Sequence, residues 1–450
     1  MSGKLKAERP KLLTVPCPIY PFQLSAFTFV KSFSLWSFSF QLQTVFLYFI
    51  YLVNEKAIQS PTPQQYRIAA AIFFFISGFG FSSWASRIPT IQNQLHLNDE
   101  QLGTVLFALP IGLMFTMPVS NWLLSKYSSR AIMLSGSLFL CVILVFIGLA
   151  NSMLQLIVVL FFFGSARNMM TLSINTQGVA VQALYSKSIM AAFHGIWSMA
   201  GFAGAAVGLV MVYFNVGVPY HFFIISILLG VLTLYFINDT LYSKPIPQPR
   251  KPVFSLPDKY LLKFSLICFA CMACENTMYD WGAIYFQKAV HADKTTSTAA
   301  FVIYLVAMTS GRFFGDRVVT RFGIKAVLQF SGMFIFGGLL MAVVLPYVIT
   351  AMIGFVLVGV GVSCVVPMVF SLAGKSKKMS SSSALASIST VGYLGFVLVP
   401  PLVGFISQNF GLRISFSIIA LFGAAVIYLV SKLNDGDGQS APVVFPDFEE

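Results

Sequence analysis

The chain has 450 residues, of which 57% are hydrophobic and only 10% are charged, and its mean hydropathy is +0.82. This composition is typical of an integral membrane protein and excludes a soluble domain. The net charge of +13 does not indicate a nucleic-acid partner, because the basic residues stand singly in short connections. The six cysteines lie in apolar segments, without the spacing of a disulfide framework.

The first 65 residues form an N-terminal extension that the pattern does not resolve. Residues 33–53 are apolar enough to cross a bilayer. A span there would put Lys4 and Arg9 on the side opposite to Arg67, against the usual distribution of positive charge. Two interpretations stay open: an extra or interfacial helix, and an upstream extension without stable structure.

From residue 66 onward, apolar runs follow one another at the length of a membrane span, about 20 residues. Six runs fill an N-terminal half (66–238), a proline-rich stretch (239–259) forms a linker, and six more fill a C-terminal half (260–433). The acidic tail (434–450) is predicted to be disordered. The chain is therefore predicted to be an all-α integral membrane protein. Numbered in chain order, the predicted spans are 67–88, 103–124, 131–150, 153–181, 189–213, 217–238, 260–287, 296–318, 325–346, 348–372, 384–407 and 412–432.

The prolines of spans 10 and 11 bear on the shape of these helices. Pro367 lies in span 10, and Pro400 and Pro401 lie in span 11. Because proline lacks a backbone N–H and clashes with the preceding turn, these residues predict broken or bent helices.

Basic residues are distributed unequally between the two sides of the predicted bundle. Lys and Arg concentrate in the cytoplasmic connections of membrane proteins. The side that carries both ends of the twelve-span unit and the linker is richer in them and is predicted to be cytoplasmic. The poorer side has Arg87, Lys288, Lys294 and Arg413. The richer side has Lys126, Arg130, Lys187, Lys244, Arg250, Lys251, Lys259, Lys263, Arg312, Arg317, Arg321, Lys325, Lys375, Lys377, Lys378 and Lys432.

The two halves resemble each other in sequence. Residues 126–131, after span 2, align with residues 321–326, after span 8, at an offset of 195. With a slip of two residues, Trp84 of span 1 aligns with Trp281 of span 7. Two parallel six-helix repeats with a site between them near the midplane are typical of alternating-access transporters. The alternative is a chance match between apolar segments.

Spans 4 and 5 carry candidate site residues. Arg167 lies well inside span 4 and is predicted to face a cavity, where it either pairs with a carboxylate of span 7 or has a purely structural role. Asn175 and Gln177 follow on the same span and are candidates for the site or for bonds between helices. His194, near the start of span 5, would relay protons or form a structural hydrogen bond.

Span 7 holds the two acidic residues that lie deep inside an apolar run, Glu275 and Asp280. A carboxylate there costs about 2.5–3.5 kcal/mol on the mildest insertion scale, so both are predicted to face the bundle interior and a partner. Glu275 and Tyr279 are four residues apart, as are Asn276 and Asp280, so the four form one polar wedge. The wedge indicates a substrate or proton site, and a structural contact between helices is the alternative.

Several segments resemble a known family. Residues 311–323 (GRFFGDRVVTRFG) resemble the signature between spans 8 and 9 of the major facilitator superfamily. Residues 175–182, 188–201, 274–281 and 392–404 are similar to the branch that contains the rhizopine-transport protein MosC and the inner-membrane protein YbjJ. The resemblance covers about residues 66–433. It implies the twelve-helix fold with two pseudo-twofold-related halves, a bacterial inner membrane, and secondary transport of a small solute.

The resemblance also implies a class of substrate. Rhizopines are amino-inositol derivatives, which favours a sugar, a polyol or an amino-inositol. Aromatic rings on cavity-lining helices can pack on the face of such a molecule, although an interfacial or lipid contact is the usual alternative. The candidates are Trp84, Trp197, Trp281 and Tyr393, and Trp281 is favoured because it follows Asp280.

A second implied feature is a set of conformational latches. The connection after span 2 departs from the superfamily's pattern, because Ser125 stands where an acidic residue is expected. In the second half, Asp316 would pair with one of the neighbouring arginines. The candidate gating residues are Arg312, Asp316, Arg317, Arg321, Lys126 and Arg130.

These features together predict a monomeric secondary active transporter in the lipid bilayer, with protons as the coupling ion and Glu275 or Asp280 as the group that binds them. No cofactor or metal is expected. The protein is not expected to be an enzyme, because the sequence has no catalytic constellation. An exporter of amphipathic compounds and an uncoupled facilitator are alternatives within transport. A membrane sensor or scaffold without transport is the alternative from another class.

Overall fold

The structure is a computed structural model that describes residues 61–186, 189–242, 257–258, 261–373 and 381–433. All of them belong to one compact unit, residues 56–450. Residues 1–60, most of the linker and the acidic tail lie outside the described residues, as does the side chain of Asp316. What the sequence indicates for these parts, and the domain limits, stay predictions.

The described residues are almost entirely helical. Twelve helices or helix pairs are long and apolar enough to cross a membrane, which confirms the predicted number of spans. Span 1 consists of the first two helices, and span 10 of the pair that meets at Cys364. A short 3₁₀ turn, Ile237–Asp239, follows span 6. The α-helices are Pro63–Ala85, Ile88–Gln94, Asp99–Lys126, Ser129–Leu149, Met153–Gln182, Met190–Tyr213, Val218–Phe236, Leu261–Lys288, Lys294–Phe322, Ile324–Val344, Val348–Ser363, Val365–Ala373, Ser381–Phe410 and Leu412–Ser431.

Polar caps set where the first spans begin. The Thr62 hydroxyl accepts a hydrogen bond from the backbone N–H of Gln65, whose side chain accepts one from the backbone N–H of Thr62. Asn98 and Gln101 repeat this reciprocal arrangement at span 2. Such capping satisfies backbone donors that the first turn leaves free. Span 2 therefore begins at Asp99, earlier than the predicted residue 103.

Proline breaks span 10 but not span 11. The helix stops at Ser363 because Pro367, four residues later, cannot donate to the Ser363 carbonyl. Span 11 remains one helix, Ser381–Phe410, through Pro400 and Pro401. The prediction of a break is thus confirmed for span 10, and span 11 shows no break.

The packing of the helices repeats from one half to the other. In the N-terminal half, span 1 packs on span 5, span 2 on span 4, and span 3 on spans 4 and 6. Six spans later the same pairs recur: 7 on 11, 8 on 10, and 9 on 10 and 12. The halves meet through spans 2 and 11 and through spans 5 and 8, two pairs that the same relation exchanges. This pattern is a pseudo-twofold arrangement of two six-helix halves.

Spans 1 and 7 occupy the centre of this arrangement. In the most apolar part of each, 78% and 72% of the residues are buried, compared with 39% in spans 2, 5, 6, 11 and 12. We call the end of the bundle that carries the connections after odd-numbered spans the odd-loop face. The opposite end, which carries the connections after spans 2, 4, 8 and 10, is the even-loop face. The midpoints of spans 1 and 7 lie between the two faces and between the two halves.

Candidate functional site

Polar side chains from both halves meet in the middle of the bundle. Asn276 donates a hydrogen bond of 2.9 Å to the carboxylate of Asp280, one turn along span 7. The Tyr279 ring of the same wedge packs on the Phe81 ring of span 1, with 5.2 Å between centroids. The predicted wedge of span 7 therefore contacts the N-terminal half through Tyr279.

Arg167 approaches this wedge from the middle of span 4. Its guanidinium carbon lies 3.6 Å from the centroid of the Phe81 ring. Its guanidinium lies within electrostatic range of Tyr279 and Asp280 and of Tyr393 of span 11. Arg167 and Asp280 are partly exposed, and Tyr393 is 40% exposed. We call the set the interhalf cluster: Phe81, Arg167, Asn276, Tyr279, Asp280 and Tyr393.

Glu275 is paired with an arginine of its own half. Its carboxylate forms an ion pair with Arg312 of span 8, with 3.2 Å between Nη2 and Oε1. The predicted pair between Arg167 and a span 7 carboxylate is not formed, because within the described residues Arg167 forms no ion pair. Arg312 also donates a hydrogen bond of 2.8 Å to the Ser198 hydroxyl of span 5. Glu275 is thus connected through one arginine to the opposite half.

The break in span 10 contributes to this connection. Pro367 leaves the Ser363 carbonyl without its intrahelical donor, and the Arg312 Nε–H donates to that carbonyl at 3.4 Å. Three N–H groups of Arg312 therefore bind three different spans. We call Glu275, Arg312, Ser198 and the Ser363 carbonyl the Arg312 bridge.

A second interhalf contact lies at the odd-loop face, and the sequence did not predict it. Asp99, at the start of span 2, forms an ion pair of 2.5 Å with Lys288 at the end of span 7. Its carboxylate also accepts hydrogen bonds from Ser407 of span 11, at 2.5 Å, and from Gln92, at 2.9 Å. The backbone N–H of Asp99 donates to Gln408 of span 11. This Asp99 latch joins the halves, and Asp99 is buried although it follows a short polar connection.

The sequence held one indication of the Asp99 latch, which is that few charged residues lie at the odd-loop face. Asp99 and Lys288 are opposite charges at the odd-loop ends of spans 2 and 7. Sequence reasoning treated both as residues of short connections, where charges are usually solvated.

The fully enclosed tryptophans do not face the interhalf cluster. Trp281 has no exposed surface, and its indole N–H has no hydrogen-bond partner. Trp84, its counterpart in the other half, is 1% exposed and packs on Phe163. A solute cannot reach either ring in this conformation. The favoured stacking role of Trp281 is therefore not available here, and Tyr393 is the accessible ring among the candidates at the cluster.

The other candidates of spans 4 and 5 lie apart from the interhalf cluster. Asn175 donates to the Thr171 carbonyl of its own helix. Gln177 donates to the Ser129 hydroxyl and the Leu241 carbonyl, which joins span 4 to the ends of spans 3 and 6. The exposed His194 packs edge-on against Phe74, and the partly buried Trp197 lies one turn further along span 5.

The predicted gating residues divide into two groups. Arg312 belongs to the Arg312 bridge, well inside span 8. The others lie at the even-loop face and bind within their own half: Arg130 donates to Thr240 and to the Asn238 carbonyl, and Lys126 packs on the Trp122 ring. Arg317 and Arg321 are exposed. The pairing predicted for Asp316 lies outside what the structure describes.

The geometry gives the two carboxylates of span 7 unlike chemistry. Glu275 has a cation as its partner, whereas Asp280 has the neutral amide of Asn276. Among the described residues, no group of three or more His, Cys, Asp or Glu side chains is placed to hold a metal ion. A guanidinium, a carboxylate, an amide and a phenol can bind a polar solute and exchange protons.

Twelve apolar helices in two related halves, with ionisable groups between them, define the architecture of a membrane transport protein. The sequence model of the Major Facilitator Superfamily matches residues 70–382 and 266–440. The chain belongs to this superfamily, and it is a transporter rather than an enzyme.

Its relatives are bacterial membrane proteins. An uncharacterised transporter of the same superfamily from Yersinia pestis is 30% identical over 369 residues, which cover 82% of this chain and 95% of the relative. The membrane protein MosC of Rhizobium meliloti is 27% identical over 361 residues, which cover 80% and 88%. These matches bear out the resemblance to the MosC branch.

Solved structures share the fold. A bacterial homologue of the human lysosomal transporter Spinster, in an inward-facing and occupied conformation, superimposes with a TM-score of 0.64 at 15% identity, covering 84% of this chain and 99% of that one. A mutant of the nucleoside transporter NupG superimposes with a TM-score of 0.65 at 14% identity, covering 81% and 98%. At such identities the likeness concerns the fold alone.

Proposed function

We propose that the protein is a secondary active transporter that moves a small polar solute together with a proton. The observation that carries this proposal is Asp280, a partly exposed carboxylate in the middle of a membrane span that has an amide as its partner. A charge in this position is costly unless a cation or water compensates it. Binding a proton removes the charge, and therefore the cost.

Asp280 rather than Glu275 is the proton site in this proposal. Glu275 is already compensated by Arg312 at 3.2 Å, so protonation of Glu275 would leave a partly buried arginine unpaired. No such penalty attaches to Asp280, because the structure describes no cation within ion-pair distance of it. The sequence left Glu275 and Asp280 as alternative proton sites, and this comparison favours Asp280.

The Arg312 bridge also has a role in the proposed transport cycle. It connects spans 5 and 8, one of the two pairs through which the halves meet. When the halves rock, the bond between Arg312 and Ser198 must rearrange, while Glu275 keeps Arg312 compensated. Binding of the proton and the solute to the interhalf cluster would then favour the rearrangement. A site without net charge costs less free energy to enclose within the membrane.

The charge of one face and the Asp99 latch at the other indicate the side of the membrane to which the protein is open. The even-loop face carries the greater part of the basic residues, which supports a cytoplasmic position for it in a bacterial inner membrane. The Asp99 latch joins the halves at the opposite, odd-loop face. In this proposal the structure is therefore an inward-facing conformation, with the interhalf cluster closed to the outside.

The proposal is tested with purified protein in liposomes that enclose a pH-sensitive dye. The solute is a sugar, a polyol or a sugar acid that raises the melting temperature of the detergent-purified protein, with myo-inositol as the first member of the screen. Wild-type protein should move protons when solute is added and accumulate solute when a pH gradient is imposed. Asp280→Asn should lose both, yet still exchange solute across the membrane, because exchange requires no net proton movement.

Glu100→Gln is the matched control, since Glu100 is an exposed carboxylate in the first turn of span 2. It should behave as the wild type. Proton movement that persists in Asp280→Asn would contradict the assignment of the proton site. Solute uptake by the wild type without any proton movement would indicate an uncoupled facilitator instead.

A further inference from the structure

Arg167 is a cation in the membrane interior without a counter-ion. It lies near the middle of the helix Met153–Gln182. Within the described residues it forms no ion pair, and its Nε–H has no hydrogen-bond acceptor. Charged side chains at this depth normally pair or line a site for an ion or substrate. The missing counter-ion therefore points to a ligand.

The surroundings of Arg167 restrict what that ligand can be. The Phe81 ring lies 3.6 Å from the guanidinium carbon and covers one face of the group. The Nη1 and Nη2 N–H groups at the outer edge of the guanidinium then remain as donors, since the Nε–H is itself buried. This edge presents paired N–H groups in a fixed fork, which matches a carboxylate with two parallel hydrogen bonds.

The charges across the interhalf cluster select a monoanion. In the empty cluster, Arg167 and an ionised Asp280 form no ion pair, but their opposite charges sum to zero. If Asp280 takes up a proton and the solute is neutral, Arg167 remains as an uncompensated cation. If the solute carries one negative charge, the loaded cluster is neutral. A zwitterion would also leave it neutral, but only while Asp280 stays ionised and no proton is carried.

The remaining groups of the cluster suit a hydroxylated molecule. Tyr393 is 40% exposed and offers both a ring face and a hydroxyl group. Asn276 can donate to a ligand when Asp280 is protonated, because the carboxyl group then competes less for the amide. A carboxylate at one end and hydroxyl groups along the rest would use all of these contacts.

We propose that the interhalf cluster binds a hydroxylated carboxylate, such as an aldonic or uronic acid, with its carboxylate on Arg167 and its hydroxyl groups towards Asn276 and Tyr393. This inference rests on the proposed proton-coupled function and names the substrate class of the same site. The bond to Arg167 is a charge-assisted contact, and no covalent step is involved.

The test is a series of ligands of matched size on the full-length protein in detergent, read by thermal shift and by calorimetric titration. Gluconate is the anion, sorbitol is the corresponding neutral polyol, and glucosaminate is the zwitterion. Glucuronate and glucose form a second pair. The acids should raise the melting temperature and bind at least about tenfold more tightly than their neutral counterparts, as expected when a buried cation gains a partner.

Two substitutions of Arg167 add to the test. Arg167→Gln should abolish the preference for the acid, and Arg167→Lys, which keeps the charge but loses the fork, should weaken acid binding by about tenfold. Arg67→Gln is the control, because Arg67 is exposed near the even-loop end of span 1, and it should bind as the wild type does. If Arg167→Gln does not fold, the ligand series on the wild type and on Arg167→Lys still decides.

Equal binding of sorbitol and gluconate, a preference for glucosaminate, or no binding by any member of the series would each overturn this inference. The outcome is separable from that of the proposed function. Proton-coupled uptake of a neutral solute would overturn the substrate class and leave the proton coupling. Acid binding that depends on Arg167, without coupled proton movement, would leave the substrate class and overturn the coupling.

Discussion

Glu275 and Asp280 share a helix but not an electrostatic environment. Glu275 is held by Arg312, whose other N–H groups bind Ser198 and the Ser363 carbonyl. Asp280 is held by Asn276 alone among the described side chains. A substitution that removes charge should therefore affect folding at the first position and proton coupling at the second.

The first of these expectations concerns Glu275→Gln. Removing one partner of a buried ion pair costs about 3–5 kcal/mol, because the other charge stays buried. The Arg312 side chain is 29% exposed, which lets water compensate part of its charge, so we expect a loss nearer about 2 kcal/mol in the free energy of unfolding. The melting temperature in detergent measures it.

A double substitution provides the control for this loss. Glu275→Gln combined with Arg312→Gln removes both charges and should recover a large part of the stability, since no unpaired charge remains. If the double variant is as unstable as the sum of the two single variants, the ion pair makes no coupled contribution to stability.

At the scale of the helix, one carboxylate caps the start of a span and another joins the ends of three spans. Asp293 caps span 8, where its carboxylate accepts hydrogen bonds from the backbone N–H groups of Thr295 and Thr296 and from the Thr296 hydroxyl. The Asp99 latch connects the ends of spans 2, 7 and 11. One carboxylate acts within a helix and the other between the two halves.

The cap predicts a dependence of stability on pH. Its hydrogen bonds, above all from Thr296, hold the pKa of Asp293 below its ordinary value of 3.8. A lowered pKa in the folded state means that this stabilisation is fully present above the ordinary pKa and is lost as the pH falls through the folded-state pKa. Asp293→Ala should cost about 1 kcal/mol at neutral pH, and this difference from the wild type should shrink below about pH 3.8.

Asp293→Asn serves as the control for this cap. Asparagine keeps an acceptor oxygen at the cap position without a titrating group, so its stability relative to Asp293→Ala should not change over the same acidic range. Thermal unfolding of the three proteins between neutral and acidic pH measures both effects. A difference between wild type and Asp293→Ala that stays constant in acid would contradict a role for the ionised carboxylate.

The latch predicts a shift between conformations. The Lys288 side chain is 41% exposed, so its pair with Asp99 is worth about 1 kcal/mol, which changes a two-state equilibrium about fivefold. Lys288→Met should therefore increase the fraction of molecules that are open at the odd-loop face. Spin labels at Glu100 and Asn409, exposed residues near the odd-loop ends of spans 2 and 11, report the distance.

Lys294→Met is the matched control, because Lys294 is another exposed lysine at the odd-loop face and does not contact Asp99. Its distance distribution should equal that of the wild type. An unchanged distribution in Lys288→Met as well would mean that the apolar packing of spans 2 and 11 closes this face without the ion pair.

For the whole molecule, the distribution of charge between the two faces predicts an orientation in the membrane. Cysteine introduced at Tyr127, exposed at the even-loop face, should react with a membrane-impermeant thiol reagent only after the cells are permeabilised. Cysteine at Gln94, exposed at the odd-loop face, should react in intact cells. The opposite result would reverse the orientation and make the structure outward-facing.

Much of the architecture could be predicted from the sequence because its causes are local. A backbone in hydrocarbon must satisfy its own hydrogen bonds, so each apolar run of sufficient length becomes a helix. The cost of a carboxylate in such a run singles out Glu275 and Asp280 in the same way. The number of spans, the two related halves and the polar wedge of span 7 therefore needed no tertiary information.

Contacts between the halves were decided by the tertiary structure. Apolar residues surround these helices on all sides, so no amphipathic pattern indicates how far each helix is rotated about its axis. That rotation is why Glu275 binds Arg312 rather than Arg167, and why Trp281 is enclosed while Tyr393 is accessible. Asp99 reaches Lys288 only because spans 2 and 7 end at the same face, a relation between distant segments that local periodicity does not carry.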